Sequence, residues 1–170
     1  MELWDLYDGN RHSLGWTIQR GMPHPAGTYH LVVSVWVTNS RGELLLTLRA
    51  PEKEQYPGLW ENQGGSVLAG EESLPAVQRE LYEETGIRLE ASAFTLLGTS
   101  LEKTAMVDIY AVRTDIPTED ICLQPGETVA AQWVTPLQFE AMAAAGQISD
   151  AALRRRRAVL QQWERCLRHC

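Results

Sequence analysis

Cysteine is scarce in this chain: its 170 residues hold three, Cys122, Cys166 and Cys170. A small, odd number gives no disulfide framework and suits free thiols in a reducing cytoplasm, the expected localisation. Cys166 and Cys170 would share a helical face with His169 beside them, but a second ligand pair for zinc is missing. Lysine is scarcer still, with only Lys53 and Lys103. Long apolar runs are lacking too. The densest, Leu31 to Val37, is far too short to span a bilayer, so no membrane contact is expected. The opening residues MELWDLYD are acidic and mixed, and read as neither a signal nor a transit peptide. Without repeats, low-complexity tracts or linkers, the sequence predicts one domain over residues 1–170.

What is present is ordinary in bulk: 44% apolar and 22% charged residues, as in a soluble globular protein. A chain of this length buries about two-thirds of its unfolded surface. The formal charge of −7 argues against nucleic acid as a partner. An acidic protein can still handle a phosphate substrate if a divalent metal neutralises both partners. The placement of the carboxylates is therefore the informative feature.

Residues 2–7 and 13–19 read as strands around the turn Asp8-Gly9-Asn10, an N-terminal unit within residues 1–28. His30–Thr38 is rich in valine and Glu43–Arg49 is apolar, with Asn39-Ser40-Arg41-Gly42 as the hairpin turn between them. Pro51 and Pro57 break regular structure across a loop ending at Trp60, and a short strand pair runs on to Leu68. A helix follows, with Ser73 as its cap, Pro75 in its first turn and Gly86 as its stop. Further strands are predicted at Phe94–Ser100, Ala105–Arg113 and Val129–Val134. Two helices, Pro136–Ala145 and Asp150–His169, close the chain over residues 136–170, separated by Gly146 and with Ser149 capping the second. Strands and helices without strict alternation predict a mixed α/β (α+β) architecture, a mixed sheet with helices on both faces.

The central helix carries the chemistry. At 100° per residue Glu80, Glu83 and Glu84 share an arc, with Leu74, Val77 and Leu81 on the adjoining one. The apolar stripe docks the helix and sets the carboxylates at the edge of that contact. Three like charges this close repel unless cations bind, and hard oxygen ligands suit Mg²⁺ or Mn²⁺. Arg79 lies at i, i+4 from Glu83, and Glu71 precedes the helix near the positive end of its dipole.

Residues 65–87 read GSVLAGEESLPAVQRELYEETGI. They resemble the Nudix box in Gly65, Glu71, Arg79, Glu80, Leu81, Glu83, Glu84, Gly86 and Ile87, with no departure. The resemblance implies a Nudix α/β/α sandwich and metal-dependent hydrolysis of a nucleoside diphosphate linked to another group X. It also implies that Glu80 and Glu84 are the core metal ligands, with Glu83 as a further ligand or orienting group and the main-chain carbonyl of Gly64 beside them. Arg79 and Glu71 complete the catalytic set it suggests. The general base stays open among Glu80, Glu102, Asp108 and Glu127.

Outside the box, residues 29–62 look like the isopentenyl-diphosphate isomerase-like branch of that superfamily. In that branch an Arg and a Lys four residues apart contact the diphosphate, and the matching residues are Arg49 and Lys53. Trp60 is the aromatic best placed to line the substrate site, ahead of Trp4, Tyr7, Trp16 and Tyr56. The isomerase itself needs a catalytic Cys, a metal-binding His and a second acid. Gly64, Ser66 and Met106 stand in their places, while His24 and His30, near the isomerase's other metal ligands, are kept. Three readings follow: a hydrolase first, then an isomerase, then a non-catalytic nucleotide-sensing module. Arg154–Arg157 spread around a helix and read as a solvated face with carboxylate partners. The seam Leu153, Leu160, Trp163 and Leu167 leaves two uses open, packing on the home domain or a homodimer contact.

Overall fold

The structure, a computed structural model, describes residues 2–169, with the side chains of 164 and 166–169 left aside. The predicted grouping of Cys166, His169 and Cys170, and the Leu167 position of the C-terminal seam, lie outside the described residues. In chain order the strands are β1 (Leu3–Tyr7), β2 (Ser13–Gln19), β3 (His30–Thr38), β4 (Leu44–Arg49), β5 (Trp60–Glu61), β6 (Gln63–Ser66), β7 (Thr95–Leu101), β8 (Ala105–Arg113) and β9 (Thr128–Val134). The helices are α1 (Ser73–Thr85), α2 (Pro136–Ala144), α3 (Asp150–Ala158) and α4 (Leu160–His169).

β3 is buried along its whole length, as a valine-rich strand covered on both faces must be. It runs parallel to β8 over nine residue pairs, from His30↔Ala105 to Thr38↔Arg113, while β7 joins β8 antiparallel. The turn at residues 39–42 forms as predicted. Asn39 accepts the N–H groups of Arg41 and Glu43 through its side chain, and Gly42 takes a φ of 74°. The β3–β4 hairpin holds register only at Thr38↔Leu44, after which β4 leaves to pair with β9. Into the gap comes β6, pairing with β3 from Val32↔Ser66 to Val35↔Gln63. That divergence brings Gly64 and Gly65 to the middle of the molecule.

Two apolar clusters fill the two faces. One packs Val33, Val35, Val37 and Leu45 against Val77 and Leu81 of α1. The other packs Trp36, Leu46 and Ile109 against Phe139, Ala152 and Trp163 from the C-terminal helices, with Phe139 and Trp163 edge-on to Trp36. Helices therefore cover both faces of a mixed sheet, as expected.

Two local expectations fail. The residue capping α1 is Glu72, with no side-chain cap, and Ser73 sits inside the helix with its hydroxyl turned to Asp108 and Tyr110. The predicted continuous helix 150–169 breaks at Val159, which is buried in the core. The bend lets Val159 and Trp163 both face the same cluster. Gly86 and Ser149 act as predicted. Gly86 closes α1 in the left-handed conformation at φ 73°, and Ser149 accepts the Ala152 N–H at 3.2 Å.

Candidate active site

Close approach between β6 and α1 explains the two glycines. Gly64 has a φ of 153°, and a Cβ there would collide with the Val33 carbonyl. At Gly65 the Glu80 carboxylate occupies the space a Cβ would need. Glu84, 9% exposed, accepts the Gly64 N–H at 3.1 Å. Glu83, on the same helix, is exposed.

Arg79 organises the group. It donates Nε and one terminal nitrogen to the two oxygens of Glu71, both at 2.9 Å, and reaches Glu80 at 2.7 Å and the Ser66 carbonyl at 3.0 Å. Its predicted pair with Glu83 forms at 3.3 Å, the longest of these contacts. Glu71 also accepts the Leu68 N–H at 3.0 Å, tying the loop before α1 to the helix. Burial pushes the Glu71 carboxyl up, but Arg79 and that N–H outweigh it and hold the carboxyl below its ordinary range. Glu80 shifts the other way, raised by burial despite Arg79.

Glu84 departs furthest. Burial raises its pKa well above the usual carboxylate value, and the charges of Glu61 and Glu80 add to the rise. Glu61 escaped the sequence analysis. It is a half-buried acid on β5, raised chiefly by burial, and ion-paired with Arg49. The available signal was an acidic residue shortly before the pair Gly64-Gly65, followed directly by Asn62 and Gln63, both of which are buried. Arg49 and Lys53 both face this region, and each is held by a carboxylate: Arg49 by Glu61 and Lys53 by Glu127. Trp60 lies on β5, not in the loop, and packs against the apolar cluster under α2 and α3.

The other base candidates are engaged elsewhere. Asp108 is bound by Arg11, Ser73 and Thr99, and Glu102 by Arg155 and Arg154. Met106 is buried in the apolar cluster beneath α1. His30 donates Nδ1–H to the Thr104 carbonyl at 2.9 Å and stacks on Trp4 with centroids 4.2 Å apart. Burial and the neighbouring His24 push its pKa down to about 4, so it is neutral at pH 7.

Among the described residues no three His, Cys, Asp or Glu side chains converge, as they stand, on one metal-binding point. Glu80 is turned to Arg79 and Glu84 to the Gly64 amide. The chemistry of the donor set nevertheless fits a hard dication. Glu61, Glu80 and Glu84 are acids crowded into one poorly solvated place, and the absent Cβ of Gly65 leaves room for the Glu80 carboxylate.

Comparison with known proteins gives the family. The NUDIX domain family model matches residues 28–156, and the chain belongs to that family. A Listeria monocytogenes protein named uncharacterized Nudix hydrolase lmo0368 is 34% identical over 148 residues, covering 86% of this chain and 88% of its own. An isopentenyl-diphosphate Delta-isomerase of Pectobacterium atrosepticum is 43% identical over 120 residues, 66% of each chain. Among solved structures, DR0079 from Deinococcus radiodurans superposes with a TM-score of 0.77 at 27% identity, covering 92% of this chain and 98% of its own. With Nudix hydrolases as relatives over most of both lengths, the chain stands among the pyrophosphohydrolases of the family.

Proposed function

We propose that the chain is a Mg²⁺-dependent hydrolase, with Mn²⁺ as a substitute, that cleaves the diphosphate bond of a nucleoside diphosphate linked to a group X. The observation that carries this reading is Glu84, buried among Glu61 and Glu80, where the Gly64 N–H and the charge of Arg49 fall short of offsetting its burial. A buried carboxylate with so little compensation is costly, and α1 has no basic residue in its last turn to add to it. Ligand binding removes that cost.

Glu80 and Glu84 would hold the metal, with Glu61, Glu83 and the Gly64 carbonyl to assist. When bound, the metal would neutralise phosphate oxygens and make a bound water more acidic. Arg79 is a positioning residue: it fixes Glu80 and ties the Glu71 loop to α1. Arg49 and Lys53 would exchange Glu61 and Glu127 for phosphate oxygens, since guanidinium and ammonium groups bind both. Glu80 or Glu61, each with its pKa raised, is the group suited to take the proton from the attacking water.

The isomerase reading has the sequence identity of the Pectobacterium protein behind it. The site opposes it. Gly64 supplies no thiol and Met106 no carboxyl, so alkene protonation lacks its agents. We place the protein in the cytoplasm, consistent with the exposed free thiol of Cys122. Among the described residues no helix is long and apolar enough to cross a membrane.

The test is product release from nucleoside diphosphate compounds, with isopentenyl diphosphate included, in Mg²⁺ and Mn²⁺. Glu84→Gln and Glu80→Gln are each expected to lower turnover by about 10³-fold or more, about 4 kcal/mol of transition-state stabilisation, with the fold intact by circular dichroism. Metal-dependent turnover that survives in both variants would end this reading, and an allylic product would establish the isomerase.

A further inference from the structure

Glu61, Glu80 and Glu84 are each engaged by the protein, but not equally firmly. Glu80 is bonded by Arg79, which is itself held by both Glu71 oxygens, by Glu83 and by the Ser66 carbonyl. Glu84 takes the Gly64 N–H, a backbone group fixed by the pairing of β6 with β3. Glu61 is held by Arg49. Of these three donors, Arg49 is the one that stands at the foot of the loop carrying Lys53. Its Nε bonds the Gln55 carbonyl of that loop at 2.7 Å.

The pair follows from the sheet. Thr47 faces Glu61 across β4 and β5, and Arg49, two residues further along β4, projects on the same side. The Arg49 and Glu61 side chains are 17% and 15% exposed, so neither charge is left to water. The charge of Arg49 offsets the burial of both Glu61 and Glu84, and that of Lys53 also reaches Glu61. The cations of the loop and the carboxylates of the site form one electrostatic unit.

Such a pair resists being opened from one side only. A diphosphate that draws Arg49 away leaves Glu61 half-buried near Glu84 and without its partner. A dication that draws Glu61 away leaves the Arg49 guanidinium without its counter-charge. Both ligands together strand neither group, since guanidinium binds phosphate oxygens and a carboxylate binds a hard dication.

We propose that the Arg49–Glu61 pair is a reciprocal lock that makes the metal and the diphosphate bind cooperatively. In the absence of both ligands each residue withholds the other. Binding of either ligand releases the group that the other ligand needs, so the two affinities rise by one common factor. Fixed charges on Arg49 and Glu61 alter each affinity separately and leave that factor unchanged. An exchange of partners is what changes it. This inference rests on the diphosphate hydrolase reading, from which it takes its two ligands.

The probes are Mn²⁺ and methylenediphosphonate, whose P–C–P bridge resists hydrolysis. Mn²⁺ affinity is measured by electron paramagnetic resonance with and without the diphosphonate, and diphosphonate affinity by calorimetry without metal. Wild type, Arg49→Gln, Glu61→Gln and the double variant are compared, each checked for its melting temperature. Association of the two probes in solution is common to all four proteins and cancels. The coupling factor is expected to be on the order of 10-fold larger in wild type than in the double variant, and each single variant should lose as much as the double. Arg49→Gln should tighten Mn²⁺ alone, and Glu61→Gln the diphosphonate alone, each by about threefold. A merely structural pair would weaken both. Glu61→Gln keeps Arg49 and Lys53, so the factor stays measurable if Arg49→Gln no longer holds the diphosphonate. A factor equal in all four proteins, or single losses that multiply in the double variant, would overturn the lock. Hydrolysis in Mg²⁺ by wild type and Glu84→Gln is read separately. Glu84-dependent hydrolysis with an unchanged factor removes the lock alone, and failure of Mn²⁺ to bind wild type removes both readings.

Discussion

α1 meets a buried carboxylate at each end, and the two are treated in opposite ways. At its start Asp108, 2% exposed, takes two hydrogen bonds from Arg11 at 2.6 and 2.5 Å, one from Ser73 at 2.6 Å and one from Thr99 at 2.7 Å. Burial pushes this carboxyl up, but the four bonds and the guanidinium charge win and hold it below its ordinary value. At the end of α1 Glu84, 9% exposed, is raised by burial and by two acidic neighbours, which outweigh one N–H and the charge of Arg49. The helix dipole favours a negative charge at the first position and opposes it at the second. Asp108 is a completed structural joint between the N-terminal hairpin, α1 and β8. Glu84 is left incomplete, which is what a ligand-binding group requires.

The sharpest way to break this contrast is to exchange the phenotypes. Asp108→Ala should destabilise the protein by about 3 kcal/mol, because it leaves a cation and two hydroxyls without their acceptor. Calorimetry should show the melting temperature fall by roughly 6–12 °C for a chain of this size. A melting temperature unchanged by Asp108→Ala would remove the joint.

Arg11→Gln should cost less, about 1–2 kcal/mol by urea titration, since 39% of the Arg11 side chain is exposed and its charge is screened. It should leave the affinity for Mg²⁺ unchanged.

The smallest signal is in the pH dependence. The folded pKa of Asp108 lies below its ordinary 3.8, so its contribution is full above that pH and lost as pH falls through the folded value. The folded pKa of Glu84 lies above its ordinary 4.5, so the stability cost of ionising it grows as pH rises from there to the raised value. Relative to wild type without metal, Glu84→Gln should gain stability as pH rises through that window and gain nothing below it. Asp108→Asn should show its full penalty near neutrality and lose it in acid. Urea melts from pH 3 to 8 separate the two, and parallel curves would erase the distinction.

How much of this was legible in the sequence depended on distance along the chain. The carboxylates of the box were legible because helical spacing alone puts Glu80, Glu83 and Glu84 on one side. The order of strands and helices was legible for the same local reasons. Asp108 was visible as an acid in a valine- and isoleucine-rich strand, but its partner Arg11 lies 97 residues away. Arg155 and Glu102 are 53 residues apart, and Glu61 meets Glu84 only because β4 abandons β3 and lets β6 in. No periodicity encodes such meetings. The break at Val159 was hidden because nothing in the helical pattern of residues 150–169 shows which face the core will claim.

Gly64 restricts, at the level of the backbone, what chemistry this site can carry. Any side chain at that position meets the Val33 carbonyl and the Ser34 backbone of the central strand, and must also adopt a backbone angle that L-residues avoid. A thiol therefore cannot be introduced there by a single substitution unless β6 first shifts against β3. The thiol that isomerase chemistry needs is thus barred at this position by the backbone itself, and not only by the identity of one side chain.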